Sequence, residues 1–193
     1  MVRRRLRQYG FTLTEILVVI TIIGVLLGVT LPLVSKARGA SRRVACRAQL
    51  ADIGRLFQMY LNDSKGRLPW VNPIPSLQPP LDGKSVVELL KVYTKDVSIG
   101  WKCPSDSIRR KINGTPEGFD TYFEREGISY LYNPQLAFRY PGKQLNDTRL
   151  YRDKQQNRLP IFWEFEPFHG SQNTLGSMNY LFADMHVGDL GSE

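Results

Sequence analysis

One acidic side chain in this sequence lies at the edge of a long apolar stretch, where a carboxylate usually needs a partner. Glu15 lies near the front of the apolar stretch GFTLTEILVVITIIGVLLGVTLP, residues 10–32. A charged side chain at the centre of a bilayer costs roughly 2.5–3.5 kcal/mol on insertion scales, and such residues usually have a partner. We therefore expect Glu15 to have a partner, and the partner to indicate the function.

Few other side chains could perform catalysis or bind a metal. His169 and His186 are the two histidines, and no H-E-x-x-H zinc motif occurs. His186 follows Asp184 by two residues in an apparent hairpin, which indicates a hydrogen-bonded turn histidine rather than a metal ligand. The DGKS segment at 82–85 ends like a phosphate-binding loop, but Gln78 stands where that motif needs glycine. We predict no catalytic residue, no metal site and no cofactor.

The basic residues are concentrated at the N-terminus. Arg3, Arg4, Arg5 and Arg7 supply half of the net charge of +8, and no acidic residue accompanies them in residues 1–10. The remaining charge is ordinary, so the basic balance does not indicate a nucleic-acid partner.

The apolar stretch after Glu15 is long enough to cross a membrane. Residues 16–35 contain no charged side chain, and twenty such residues span the hydrocarbon core as a helix. Gly24 and Gly28 form a G-x-x-x-G step that lets another helix approach closely. Pro32 removes a helix hydrogen bond and predicts a kink. The alternative is a cleaved secretory signal, which the length of the run, the early Glu15 and the absence of a clear A-x-A site disfavour.

Residues 35–61 continue the helix with a different pattern. Apolar side chains recur there at steps of 4, 3, 4 and 3, at Cys46, Leu50, Ile53, Phe57 and Tyr60. This is one stripe of an amphipathic helix, which predicts that the second half packs on a soluble domain. The turn-rich segment NDSKGRLP, residues 62–69, then ends the helix.

The rest of the chain predicts a small mixed domain. A proline-rich loop at 72–84 precedes a short helix, SVVELLKVY, where Ser85 and Glu88 form a capping box. The segments ISYLYN, LPIFWEFE and SMNYLFADMHV are short, aromatic and β-branched, and they indicate an antiparallel sheet. The polar segments 104–127 and 139–158 are predicted loops. The fold class is therefore α+β: a long N-terminal helix packed on a small antiparallel sheet.

The start of the chain resembles the type IV prepilins, the family of pilins and of the pseudopilins of type II secretion. The resemblance rests on the basic leader MVRRRLRQYG, the FTLTE run after Gly10, and the apolar helix with Gly24 and Pro32. It implies a leader at 1–10, a transmembrane helix at 11–34, its amphipathic continuation at 35–61 and a soluble extracytoplasmic domain at 62–193.

The resemblance also implies roles for three residues. A membrane peptidase of the family cuts after the glycine, here Gly10, and the new N-terminus, Phe11, is N-methylated. Glu15 is then the assembly residue, which meets the charged amine of Phe11 in a neighbouring subunit. Opposite charges in a low dielectric attract strongly and offset each other's desolvation, so the pair would set the register of assembly.

Three further segments resemble a subgroup of pseudopilin-like proteins abundant in planctomycete- and verrucomicrobia-type bacteria. They are CRAQLADIGRLFQMYLNDSKGRLP, WKCPSD and the tail MNYLFADMHV. In that tail Met185 replaces the usual glycine. If the usual turn needs a positive φ at this position, we expect the turn to differ here.

Cys46 and Cys103 are a candidate disulfide. Cys46 lies on the apolar stripe that faces the domain, and the implied extracytoplasmic location favours disulfides. A bridge would close a loop of 57 residues. The alternative is two reduced cysteines, with Cys46 a small residue in a packed helix, and the sequence does not decide between the two.

The predicted function is structural rather than enzymatic. The resemblance implies a single-pass protein of the inner membrane with a cytoplasmic N-terminus and a periplasmic domain. Its expected partners are the prepilin peptidase and methyltransferase, other pseudopilins, copies of itself in a helical filament, and the inner-membrane assembly platform. We expect a type II secretion-like filament, with a minor pilin of a type IV pilus as the alternative.

Two different classes of function are weaker candidates. The first is a DNA-uptake pilin that binds through Arg109, Arg110 and Lys111, although nucleic acid is not an expected partner. Duplex binding with a steep salt dependence would reveal it. The second is a membrane-anchored enzyme, which the sequence supports least because it contains no recognisable catalytic constellation.

Overall fold

The computed structural model of the 193-residue chain describes residues 12–76, 84–94, 100–108, 118–154, 158–172 and 174–190. The helices are α1 (Leu13–Asp63), α2 (Val86–Lys91), α3 (Tyr122–Glu126), α4 (Pro134–Arg139) and α5 (Arg149–Lys154), with 3₁₀ turns at Val92–Thr94 and Leu145–Asp147. The strands are β1 (Tyr130–Tyr132), β2 (Pro160–Glu164), β3 (Tyr180–Phe182) and β4 (Val187–Gly188). The contacts divide the chain into two compact units, residues 1–40 and 41–193.

Helix α1 joins the two predicted helical segments into one element of 51 residues, with Pro32 inside it. It ends two residues beyond the predicted residue 61. Lys65 and Gly66 follow with φ of 56° and 78°, and the Gly66 amide donates to the Leu61 carbonyl at 2.7 Å. A left-handed residue just past the helix end satisfies carbonyls that the last turn leaves unpaired.

The part of α1 in the first unit exposes its apolar side chains. Large residues between Leu13 and Val34 are 45–81 % exposed, and the most apolar window of the helix has no buried residue. Within the described ranges α1 is the one helix long and apolar enough to cross a membrane.

The part of α1 in the second unit builds the core of the domain. Cys46, Leu50, Ile53 and Phe57 are fully buried, as the predicted stripe requires, and Tyr60 is half-buried. This confirms the predicted amphipathic half of the helix. Burying such a stripe on a sheet contributes about 1.5–3 kcal/mol for each large apolar side chain.

The sheet that receives this stripe is antiparallel in the order β1-β2-β3-β4. Leu131 pairs with Trp163, and Leu181 pairs with Val187. The Phe57 ring on α1 lies edge-on to Phe162 of β2, with centroids 5.6 Å apart. A long helix followed by a small antiparallel sheet confirms the α+β, pilin-like prediction, and all three predicted strand segments contain a strand.

Two predicted loops contain short helices instead. Segment 104–127 holds α3, where the Thr121 side chain accepts from the Glu124 amide at 3.2 Å. Segment 139–158 holds a 3₁₀ turn and α5, where Thr148 Oγ1 accepts from the Tyr151 amide at 3.2 Å. Side-chain caps stabilise such one- or two-turn helices. Both segments were predicted to be loops because their composition is polar.

Capping also explains two further helix starts. Ser85 and Glu88 form the predicted capping box at the start of α2, which confirms it. Helix α4 was not predicted. Asn133, the last residue of the predicted strand segment ISYLYN, caps this helix, and Pro134 is its first residue. Proline at the first helical position is favourable because its missing N–H would be unpaired there anyway. In the predicted loop at 72–84, residues 77–83 lie outside the described residues.

The turn between β3 and β4 keeps a positive φ without glycine. Met185 has φ of 68°, and its amide donates to the Phe182 carbonyl at 2.9 Å. The expectation that the turn must differ is therefore wrong: methionine occupies the left-handed position itself. Its side chain is partly buried against the core, and this packing offsets part of the backbone cost.

We expect Met185→Gly to be more stable than Met185→Ala by about 1–2 kcal/mol. Both substitutions remove the same packing, but only glycine relieves the left-handed strain, which costs roughly 1–2 kcal/mol for other residues. Chemical denaturation of the two variants measures the difference. Equal stabilities would contradict the strained turn.

Two tyrosines of β1 are buried in different hydrogen-bonding environments. Tyr130 Oη lies 3.0 Å from the Cys46 carbonyl and 3.1 Å from Gln49 Oε1. Tyr132 Oη has no hydrogen-bond partner within the described part of the chain. Burial raises the pKa of both phenols above its ordinary value, so both stay protonated at neutral pH.

We expect Tyr130→Phe and Tyr132→Phe to have effects of opposite sign. Tyr130→Phe should lower the free energy of unfolding by about 1 kcal/mol, because it removes a hydrogen bond to α1. Tyr132→Phe should raise it by about 1 kcal/mol, because it removes a buried hydroxyl that is unsatisfied. Thermal or urea unfolding of the pair checks both signs, and destabilisation by Tyr132→Phe equal to that by Tyr130→Phe would refute the distinction.

Candidate functional site

Glu15 lies in the first turn of α1, where it caps the helix. Thr12 donates to Glu15 Oε2 from its amide at 2.8 Å and from its hydroxyl at 2.7 Å. The Glu15 amide donates to Thr12 Oγ1 at 3.3 Å. This is a capping box, which satisfies helix amides that would otherwise be unpaired. Glu15 therefore has an intrachain partner, Thr12, which was not predicted from the sequence. The predicted cleavage position, Gly10 and Phe11, lies outside the described residues.

The small residues of α1 leave an open surface. Gly24 and Gly28 lie one turn apart, and a Cβ added at either position would meet nothing within 4 Å. Their backbone is therefore accessible to a second helix, which is what a G-x-x-x-G step permits.

Cys46 and Cys103 form a buried disulfide in the domain. Their Sγ atoms are 1.92 Å apart, their Cα atoms are 4.9 Å apart, and neither residue is exposed. The Cα separation lies within the usual range of about 4.4–6.8 Å. The bridge joins α1 to the segment that precedes α3.

Asp106 holds the Cys103 segment in place. Its carboxylate accepts from the amides of Tyr122 and Phe123, at 3.0 and 2.8 Å. It also accepts from the Ser129 hydroxyl at 2.6 Å, and Ser129 Oγ in turn accepts from the Cys103 amide at 3.0 Å. The WKCPSD segment thus supplies both a bridged cysteine and a carboxylate that fixes it.

A buried carboxylate and a buried histidine lie beside the disulfide. Glu164, the last residue of β2, is fully buried, and its Oε1 lies 3.0 Å from His169 Nε2. Asn179 donates to the same carboxylate from its amide at 2.9 Å and from Nδ2 at 2.8 Å. Cys103 Sγ lies 3.8 Å from the imidazole nitrogen and 3.9 Å from the carboxylate oxygen. A bridged sulfur carries no proton, so Cys103 Sγ donates a hydrogen bond to neither atom.

Two arginines of α1 connect this cluster to the end of the chain. Arg47 Nε donates to Asn179 Oδ1 at 2.8 Å. Arg43 Nη2 lies 2.8 Å from both carboxylate oxygens of Asp189, and Arg47 Nη2 lies 3.3 Å from one of them. This role was not predicted from the sequence. Arg43 lies three residues before Cys46, and Arg47 lies one residue after it. This spacing places both arginines beside the buried stripe, and it was the sequence feature that could have predicted their role in the domain.

The predicted turn histidine is confirmed. His186 is exposed and hydrogen-bonds through Nδ1 to the Asp184 carboxylate, whose Oδ1 also accepts the His186 amide at 3.2 Å. It takes no part in the buried cluster. Arg109, Arg110 and Lys111, the predicted nucleic-acid contacts of a DNA-uptake pilin, lie outside the described residues.

The three segments that carry the resemblance to the subgroup meet at one place in the domain. The first supplies Cys46 and Arg47, the second supplies Cys103 and Asp106, and the tail supplies Asn179. His169 and Glu164 complete the cluster from outside those segments. From the sequence, His169 was only an available base or ligand and Glu164 was not a candidate, because they meet Cys103 across sequence separations of 66 and 61 residues, which no local pattern reveals.

The N-terminal segment of the chain matches a known family. Residues 5–31 match the family described as the prokaryotic N-terminal methylation motif. The match includes the proposed cleavage position, Glu15 and both glycines of the G-x-x-x-G step. No curated protein and no solved structure matches the chain. The N-terminal methylation motif supports a prepilin-type protein, and the long helix followed by a small antiparallel sheet is a pilin-like fold.

Proposed function

We propose that this chain is a pseudopilin subunit that polymerises through its N-terminal helix. The observation that carries the proposal is the coincidence of the methylation motif, residues 5–31, with the exposed apolar part of α1. A soluble domain gains nothing from such a surface, whereas a membrane or a bundle of identical helices would cover it. The leader, residues 1–10, is removed between Gly10 and Phe11, and Phe11 is N-methylated.

In the proposed filament, Glu15 exchanges one partner for another. In the single chain its carboxylate accepts two hydrogen bonds from Thr12. On assembly it pairs with the Phe11 amine of a neighbouring subunit, where opposite charges offset each other's desolvation. Gly24 and Gly28 permit close helix contacts, and a head-to-tail contact of this kind produces an open helical polymer.

The proposed topology is a single-pass anchor in the inner membrane, with the N-terminus in the cytoplasm and the domain outside. The buried bridge between Cys46 and Cys103 supports this placement, because disulfides persist in oxidising compartments. Proposed partners are the prepilin peptidase and methyltransferase, other pseudopilins and the inner-membrane assembly platform. The role is structural, and we assign no catalytic residue.

We further propose that the filament serves a type II secretion-like system, with a minor pilin of a type IV pilus as the alternative. Deleting the chain in its own bacterium and restoring it on a plasmid distinguishes the two. Loss of folded exported proteins from the medium, with pili intact, supports the secretion filament. Loss of pili with secretion intact supports the minor pilin. Normal secretion and normal pili in the deletion strain would contradict both.

A further inference from the structure

Four side chains around the disulfide form a set that suits a metal ion. They are Cys46, Cys103, Glu164 and His169, called here the CCEH cluster, and each offers one ligand atom within 4.8 Å of the others. We propose that the dithiol form of the chain binds one Zn²⁺ at the CCEH cluster, and that the disulfide form does not. The two forms would be alternative crosslinks of the same segments.

The ligand atoms that are not covalently joined already have nearly tetrahedral spacing. Cys103 Sγ, His169 Nε2 and Glu164 Oε1 are separated by 3.8, 3.9 and 3.0 Å. A tetrahedral zinc ion, about 2.3 Å from sulfur and about 2.0–2.2 Å from nitrogen or oxygen, separates its ligands by roughly 3.3–3.8 Å. Breaking the sulfur–sulfur bond frees Cys46 Sγ to complete the tetrahedron.

The chemistry of the donors selects the ion. Two thiolates and an imidazole suit zinc and are poor ligands for Ca²⁺ and Mg²⁺, which take oxygen donors. Four protein ligands leave no open position for water, which is the arrangement of structural rather than catalytic zinc. The side chains of Glu164 and His169 are 0 % and 3 % exposed, so the site is closed to solvent.

The residues around the cluster would orient its ligands. Asn179 holds the Glu164 carboxylate with two hydrogen bonds, and Arg47 Nε holds Asn179 in turn. Ser129 Oγ accepts from the Cys103 amide and fixes the segment that bears this cysteine. Outer hydrogen bonds of this kind keep metal ligands in position.

The change between the two forms is a two-electron redox step. An external dithiol reduces the bridge: it loses two hydrogens and becomes a cyclic disulfide, while Cys46 and Cys103 become thiols. Zinc binding then replaces the two thiol protons, which pass to the solvent. The bridged sulfurs are uncharged and poor ligands, so one form excludes the other.

Titration of the full-length chain in detergent with Zn²⁺ alone tests the proposal. The chain is reduced with a phosphine, which takes its oxygen from water, and a chromogenic chelator competes for the metal. We expect one zinc per reduced chain and none per oxidised chain. Co²⁺ bound in place of zinc should give the visible bands of a tetrahedral ion and a thiolate charge-transfer band in the near ultraviolet.

Matched variants locate the site. His169→Gln and Glu164→Gln should each weaken zinc binding about 100-fold or more, since even outer-shell changes cost about 10–100-fold. His186→Gln, at the exposed histidine bonded to Asp184, should change nothing. The near-ultraviolet circular dichroism of the oxidised form reports whether each variant folds. If the ligand variants do not fold, the Co²⁺ charge-transfer band decides, because it should lose about half its intensity in Cys103→Ser.

Three results would overturn the proposal. They are the absence of zinc binding by the reduced chain, equal binding by the oxidised chain, and equal affinity in His169→Gln and His186→Gln. The last result would indicate a two-cysteine contact without the imidazole. None of these measurements requires filament assembly, so the proposal stands or falls independently of the proposed function.

Discussion

Glu15→Gln should abolish assembly of the proposed filament while leaving helix α1 and the domain intact. Glutamine can still accept from the Thr12 amide and preserve the capping box, which accepts either Glu or Gln at this position. It cannot pair with the charged amine of Phe11. We expect the assembled fraction, measured by sedimentation of sheared or detergent-extracted filaments, to fall to about a tenth of the wild-type value or less, because unpairing a desolvated charge is strongly unfavourable.

Two control variants separate the charge from the cap. Glu15→Asp keeps the charge and shortens the reach, so it should assemble partly. Thr12→Ala removes the hydroxyl contact to Glu15 and leaves the carboxylate available, so it should assemble. Membrane extraction should recover all three proteins equally. Normal assembly of Glu15→Gln would show that helix capping, rather than charge pairing, is the role of this residue.

Reduction of the Cys46–Cys103 bridge should produce the largest loss of domain stability. The bridge spans 57 residues of sequence, and the chain-entropy model gives about 4 kcal/mol for a loop of this length. For a domain of this size the loss corresponds to roughly 8–16 °C in the unfolding temperature. Thermal unfolding of the full chain with and without reductant measures it, with a chelator present so that zinc does not stabilise the dithiol.

The double variant Cys46→Ala and Cys103→Ala is the matched control for this measurement. It should unfold at the low temperature in both buffers, with no response to the reductant. The expectation would fail if the wild-type chain unfolded at the same temperature in both buffers, or if two thiols per chain reacted with an alkylating reagent before reduction.

Local patterns explain what was predictable in this fold. The stripe from Cys46 to Phe57 predicted the buried face of α1, because a helix repeats every 3.6 residues and needs no knowledge of its partner. The capping box of Ser85 and Glu88 was also predictable, because its two residues are three apart in the sequence. The short helices α3, α4 and α5 were not predicted, because one- or two-turn helices depend on single caps and on packing rather than on a periodic pattern.

The cluster around the disulfide depends on pairings distant in sequence. Glu164 and Asn179 meet where β2 pairs with β3, and Asn179 accepts a hydrogen bond from Arg47 of α1. No local pattern carries that information. Distant contacts also explain part of the basic charge that follows the apolar stretch, because Arg43 and Arg47 bond to Asp189 in the domain. These two basic residues thus have a structural role within the domain.

The mass of the mature N-terminus tests the central claim most directly. The protein is extracted from membranes of its own bacterium, digested, and examined by mass spectrometry. We predict an N-terminal peptide that begins at Phe11 and carries one additional methyl group, with Gly10 and the preceding residues absent. A mature chain that begins beyond residue 35, as a cleaved secretory signal requires, or one that retains residues 1–10, would contradict it.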